Sequence, residues 1–247
     1  MFQFKQFTIH QDRTAMKVGT DGVLLGAWAP IKSDATNILD IGTGTGLIAL
    51  MIAQRLTSTD SFLQPNINKL NITAIDIDRA SIEQAVENIN NSIFARYITT
   101  EHTSLQQHNP GEKYDAIVCN PPYFVASLKC PDLARSQARH TDTLSFDDLL
   151  LYSSRLLNYD GTLSVILPIT EGKTLIDLAP KYNFTLSQIV EVYPTQTTPP
   201  KRLLMHFTYN NNDNNIELKK SCLTIEISRH NYTEEYIALT RDFYLKM

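Results

Sequence analysis

Two short runs in this chain combine residue types that can do chemistry. The first is Asn120-Pro121-Pro122-Tyr123, within VCNPPYF, where an apolar run ends in an amide, two prolines and an aromatic ring. Proline cannot donate to a sheet ladder, so a strand over Tyr114–Cys119 must stop at Asn120. Beyond that strand the chain becomes a stiff loop with one side-chain amide and an aromatic tip. The Asn120 side-chain oxygen and the Pro121 carbonyl are two fixed acceptors, suited to an amino group whose lone pair is delocalised into a base or a carbonyl. Each can take one N–H, which turns the lone pair outward toward an electrophile. Tyr123 offers a flat face on which a base or an amide can stack. Positioning, more than a side chain of unusual pKa, would carry the rate of such a transfer.

The second run is Asp40-Ile41-Gly42-Thr43-Gly44-Thr45-Gly46. Alternate glycines let the backbone turn tightly and let a ligand approach the main chain without a Cβ in the way. A dinucleotide fingerprint would need its third glycine at position 47, where Leu47 stands, so a nicotinamide dinucleotide is disfavoured. Asp40, Gly42, Gly44 and Gly46 are the candidate ligand loop, with Asp40 supplying negative charge for a cationic ligand. Asp76, in AIDID, is placed to accept hydrogen bonds from ribose hydroxyls. Asp78 is better read as the cap of the next helix. The acid expected after the third strand, facing an adenine amine, is missing. Ser104 stands there, so Glu101 or a backbone group must substitute.

Both runs need a sheet to hold them. Asn37–Ile41 reads as a buried strand, Leu47–Leu56 as a helix, Ile72–Ile77 as a strand and Ser81–Asn90 as a helix. The alternation continues through strands at Tyr97–Glu101 and Tyr114–Cys119, helix Phe146–Leu157, strand Thr162–Leu167, helix Lys173–Tyr182, and strands Phe184–Val192 and Leu203–Tyr209. This pattern implies an α/β fold, a doubly wound and mostly parallel seven-stranded sheet covered on both faces. The expected organisation is one domain: residues 1–36 as an N-terminal extension, 37–209 as the core sheet, and 210–247 as a C-terminal strand and helix. Within the last, Leu223–Ser228 is a strand candidate and Thr233–Leu245 a helix begun by a threonine and two glutamates. Thr57–Lys69 reads as a polar surface insert, and Asn210–Asn215 as a long turn.

At 247 residues and 43 % hydrophobic content the chain can bury a sizeable core, which excludes disorder. No stretch has the continuous apolar length of a signal peptide or a membrane span, so a soluble cytoplasmic protein is the expectation. Cys119, Cys130 and Cys222 share no metal or redox spacing and read as ordinary thiols, and the histidines are scattered, so no metal is expected. The net charge of −4 gives no whole-chain attraction for a polyanion. Any nucleic acid would have to use a local patch. Lys129, Arg135, Arg139 and His140, just beyond the NPPY run, could hold phosphates, with Lys201 and Arg202 a second candidate. A solvated polar loop is an equal reading of the first group.

Asn120-Pro121-Pro122-Tyr123 resembles the [N/D/S]-P-P-[Y/F] signature of amino-group methyltransferases, and Asp40–Gly46 resembles the loop by which such enzymes bind S-adenosylmethionine. The N-terminal run FKQFTIHQDRTAMKVGTDGVLLGAWA and the C-terminal run NYTEEYIALTRDFYLKM resemble one bacterial family, which N6-methylates the adenosine just 3′ of the anticodon in a valine tRNA. The likeness covers nearly the whole chain. It implies a Rossmann-like fold, S-adenosylmethionine as cofactor and tRNA as partner. It also makes Lys17-Val18-Gly19-Thr20-Asp21 a cofactor-side segment, with Thr20 a candidate ligand; the residues alone allow Thr20 or Asp21 simply to cap the helix over GVLLGAWA. The alternative substrate is a glutamine of a translation release factor. Those enzymes carry a separate N-terminal helical domain, for which the residues before Asp40 leave little room. A binding module that keeps the fold without the chemistry is disfavoured by the intact Asn120–Tyr123 run.

Overall fold

The computed structural model describes residues 1–14, 16–58, 67–122, 144–210 and 216–246. Phe2–Gln3 (β1) and Thr8–Ile9 (β2) form a short antiparallel pair. Helix α1 (Thr20–Trp28) comes next, then β3 (Asn37–Ile41), α2 (Leu47–Ser58), β4 (Asn71–Asp76), α3 (Arg79–Asn90), β5 (Ile98–His102) and β6 (Tyr114–Cys119). The remaining elements are α4 (Phe146–Leu156), β7 (Leu157–Pro168), α5 (Ile169–Leu178), β8 (Phe184–Thr195), β9 (Arg202–Tyr209), β10 (Lys219–Ser228), β11 (Asn231–Tyr232) and α6 (Glu234–Thr240).

The main sheet runs β11-β10-β8-β9-β7-β6-β3-β4-β5. Strands β3 to β7 pair in parallel, and β9 is antiparallel to both β7 and β8. Because the order reverses at β3, the loops after β3 and β6 open side by side at the carboxyl edge, where doubly wound sheets bind ligands. Strand residues alternate between two apolar clusters. Ile38, Ile72, Ala116 and Val118 face α1, α2 and α3; Leu39, Ile75, Ile117 and Cys119 face α4 and α5. Helix α1 is apolar over most of its surface and lies close on α2. A Cβ at Gly26 would come 2.8 Å from Met51 Sδ, so only glycine permits that approach.

The sheet has nine strands instead of the seven expected. β10 adds in parallel to β8, and β11 turns back onto β10. The driving force is visible in β10: Leu223 and Ile225 lie on the side of Val190 and Val192 and extend the α1-side cluster. The N-terminal extension joins the same cluster, since Phe4, Phe7 and Ile9 are buried there and Phe4 bridges to Tyr244. β7 begins earlier than its apolar run suggests. Its register jumps between Leu157 opposite Tyr114 and Thr162 opposite Ala116, with Asp160 in the left-handed region at φ 57° absorbing the extra residues. Two caps fall where expected: Asp78 accepts from the Ala80 and Ser81 N–H groups, and Thr233 from Tyr236 N–H.

Candidate active site

A cavity of about 360 Å³ opens at the carboxyl edge of the sheet, walled in part by Gly42 and Gly44 after β3, Asp76 after β4, Ser104 after β5, and Asn120 and Pro121 after β6. Four strand ends therefore meet in one space.

The glycine loop is shaped by backbone conformation. Gly42, Gly44 and Gly46 have φ of 68°, 56° and 82°, the left-handed region that disfavours any side chain. The Gly42 and Thr43 N–H groups both donate to Ile75 O, at 2.9 and 3.0 Å, which ties the loop to the end of β4. A Cβ on Gly42 or Gly44 would meet nothing within 4 Å, so both positions leave space for a ligand. Gly46 does not wall the cavity. It faces Ala85 and Ile89 of α3, where a Cβ would find ordinary contacts at 3.4–3.5 Å, so its left-handed backbone and not a lack of space calls for glycine.

Asp40 is also absent from the cavity wall. Its carboxylate is fully buried beneath the loop, where Oδ2 accepts the Thr43 hydroxyl at 2.6 Å and Oδ1 lacks a partner within hydrogen-bonding geometry among the described residues. Burial pushes its pKa up to about 7, opposed by the Thr43 hydroxyl and the Ala49 N–H and reinforced by the charge of Asp76. Asp76 does reach the cavity. Burial raises its pKa too, against bonds from the Asp78 N–H and the Gly44 N–H, each at 2.9 Å. Asp78 caps α3, and the Ser81 hydroxyl bond leads the causes that lower its pKa.

On the third strand's side the wall is Thr103, Ser104, Leu105 and Gln106. Glu101 does not substitute for the missing acid: its carboxylate binds His108 Nδ1 at 3.0 Å, and His108 Nε2 pairs with the Tyr114 hydroxyl at 2.7 Å. The Ser104 carbonyl accepts the His108 N–H, so this buried histidine fixes the turn of which Ser104 is part.

At the end of β6, Cys119, Asn120, Pro121 and Pro122 all contribute to the wall. Asn120 Oδ1 is a buried acceptor with no hydrogen-bond partner among the described residues. An acceptor in that position can take a hydrogen bond from a donor on a bound molecule. The Cys119 thiol is buried, and its pKa is raised well above the usual range by that burial and by the charges of Asp40 and Asp76, so it is no nucleophile. Tyr123 lies outside the described residues, as do Cys130, Lys129, Arg135, Arg139 and His140.

Thr20 is exposed and takes no part in the cavity, and neither Thr20 nor Asp21 caps α1, whose N-cap is Gly19. Asp21 instead pairs with Arg202 at 2.8 Å, which ties up one of the candidate phosphate-binding cations. The N-terminal segment reaches the cavity slightly earlier, through Thr14 and Met16. Nothing in their residue types announces this. No group of three metal-ligating side chains gathers among the described residues, and no helix among them is long and apolar enough to cross a membrane.

Comparison with known proteins agrees with this geometry. The family model for the Methyltransferase small domain matches residues 23–167. The tRNA1(Val) (adenine(37)-N6)-methyltransferase of Parabacteroides distasonis is 50% identical over 100% of this chain and 98% of its own length. The enzyme of the same name from Flavobacterium psychrophilum is 43% identical, with both chains covered in full. Among solved structures, Atu636 of Agrobacterium tumefaciens, described as a predicted O-methyltransferase, superposes with a TM-score of 0.64 at 18% identity, covering 90% of this chain and 96% of that one, which is a likeness of fold. With curated relatives this similar along its whole length, the chain belongs to the tRNA1(Val) (adenine(37)-N6)-methyltransferase family.

Proposed function

We propose that this protein transfers a methyl group from S-adenosylmethionine to the exocyclic N6 of the adenosine at position 37 in a valine tRNA, in the cytoplasm. The observation that carries the reading is the Asn120 oxygen, unpartnered among the described residues, in the wall of the cavity that Gly42 and Gly44 leave open. The full-length relatives named for this reaction support the choice of substrate.

S-adenosylmethionine, when bound, supplies a methyl group on a positively charged sulfur. The residues present fit it. Gly42 and Gly44 leave the main chain accessible, and the Asp76 carboxylate stands at the end of β4, where ribose hydroxyls meet such a sheet. Asp40, buried under the loop with its pKa raised to about 7, holds the loop through the Thr43 hydroxyl and carries a full negative charge only above that pH. Asn120 Oδ1 and the Pro121 carbonyl each accept one N–H of the adenine amine. Its lone pair, withdrawn from the ring, then points toward the glycine-loop side of the cavity. The two prolines hold both acceptors still, so little reorganisation accompanies the reaction. The proton leaves to water after the nitrogen gains charge, and no basic side chain is required. Tyr123 supplies the stacking face for the flipped-out base.

The test is methyl transfer from labelled cofactor to tRNA from a strain lacking the gene, followed by mass spectrometry of the nucleosides. N6-methyladenosine at the position 3′ of the valine anticodon is the expected product. Preferential labelling of a release factor would overturn the proposal, as would a different methylated nucleoside.

A further inference from the structure

Helix α3 carries a buried polar face that the proposed chemistry does not use. Gln84 and Asn88, one turn apart, are 0% and 1% exposed, so their amides must find partners inside the protein. Asn88 finds three. Its Oδ1 accepts the His10 N–H at 2.8 Å, and its Nδ2 donates both to His10 O and to Thr45 O, each at 2.9 Å. One acceptor facing an N–H and two donors facing carbonyls leave only one orientation of the amide that fits. Gln84 repeats the contact lower down, where Oε1 accepts the Arg13 N–H at 3.3 Å.

Two cavity walls meet at this amide. Thr45 belongs to the glycine loop, between Gly44 in the wall and Gly46 against α3. His10 and Arg13 belong to the N-terminal segment, which continues to Thr14 and Met16, also in the cavity wall. The segment has no strand partner beyond Ile9, so along His10–Arg13 the side-chain amides of α3 stand in for a β-ladder. With these amides and the ion pair of Arg13 with Glu87 at 3.1 Å, the segment depends on α3 for its place and can open locally from it.

We infer that Asn88 is a positioning residue that couples the glycine loop to the N-terminal segment, so that occupancy of the cavity and docking of His10–Thr14 promote each other. This rests on the reading of the cavity as the cofactor site. Any ligand that settles the loop fixes the Thr45 carbonyl, which fixes the Asn88 amide, which holds both polar groups of His10. By linkage, a docked segment raises affinity for the ligand by the same factor.

The probe is S-adenosylhomocysteine, added to the full-length protein while amide hydrogen exchange is followed residue by residue. Binding is expected to slow exchange at His10 and Arg13 in the wild type. In Asn88→Ala that protection disappears and Kd rises roughly tenfold, as expected for loss of a shared set of buried hydrogen bonds, while kcat at saturating cofactor stays near wild type. Gln84→Ala, which loosens Arg13 without touching Thr45, keeps the protection at His10 and most of the affinity. Wild-type affinity with retained protection in Asn88→Ala would overturn the inference. If Asn88→Ala does not fold, the wild-type exchange decides alone, and no protection at His10 on binding is the negative result. Failure of the wild type to bind the probe at all would instead overturn the proposed cofactor site.

Discussion

The Gly44 N–H donates to Asp76 Oδ2 at 2.9 Å, joining the tip of the glycine loop to the end of the second central strand. One carboxylate thus both shapes the loop and faces the cavity. Asp76→Ala is expected to weaken S-adenosylmethionine binding by roughly one to two orders of magnitude, since a charged acceptor that also orders the loop is lost. Calorimetry is the measurement, and an unchanged Kd would remove Asp76 from the site.

Gly44→Val separates space from conformation. A Cβ there meets no described protein atom within 4 Å but projects into the space left for a ligand, and valine at φ 56° costs roughly 1–2 kcal/mol. The variant should therefore fold with a lowered Tm and bind no cofactor. Binding at wild-type affinity would show that the loop does not contact the ligand.

Asn120→Ala deletes one of the two acceptors proposed for the amine, and turnover should fall roughly 10²–10³-fold, as for a lost group in other preorganised sites. Cofactor affinity should barely move, and Asn120→Asp should keep part of the activity. Under the proposed stacking role, Tyr123→Ala should raise the RNA requirement by on the order of 1–3 kcal/mol, with Tyr123→Phe largely restoring it, since that role needs the ring and not the hydroxyl. Single-turnover methylation of tRNA distinguishes these outcomes; a wild-type rate in Asn120→Ala would leave the amide as a strand-ending residue only.

Asp40 makes stability depend on pH in a definite direction. Its pKa rises from 3.8 to about 7 on folding, so the folded state holds the proton more tightly. The associated stability is fully present below the unfolded value and is lost as pH rises through about 7. Asp78 and Asp115, whose pKa values are lowered, act in the opposite sense, losing stability as pH falls, so the comparison must be between variants. Urea melts of the unliganded protein should show Asp40→Asn gaining on the wild type by a few kcal/mol between about pH 4 and pH 8. A constant difference across that range would place the proton elsewhere.

If Lys129, Arg135 and Arg139 hold phosphates, methylation of tRNA should fall steeply with added salt, and replacing these residues by glutamine should flatten that dependence. An unchanged salt slope in the triple variant would assign the RNA contacts to other residues.

What could be read from the sequence was set by neighbours along the chain. Left-handed glycines in a strand-to-helix turn, prolines that end a ladder, and Asp78 and Thr233 as caps each arise from local backbone chemistry, and each stands where expected. What could not be read depends on distant partners. Glu101 is drawn to His108 and Asp21 to Arg202, and neither pairing leaves a trace in spacing. Asp40 was legible as an acid beside the loop, but whether it points into the cavity or beneath it is decided by Thr43 and the packing of α2. The same holds for β10, whose alternation is ordinary until Val190 and Val192 give it a sheet edge to extend.

The bridge between Phe4 and Tyr244, with the Lys5 N–H on Phe243 O, has a consequence for how the protein comes into being. Phe4 and Lys5 can make these contacts only after residues 243 and 244, far along the chain, have been added. Loop closure over that span is entropically costly and comes late, after the central strands have paired with nearer neighbours. Thr14 and Met16 need not wait for it, because His10 and Arg13 are bonded to Asn88 and Gln84 of α3, so a nascent chain can complete this side of the cavity while Phe4 is still without its C-terminal neighbour.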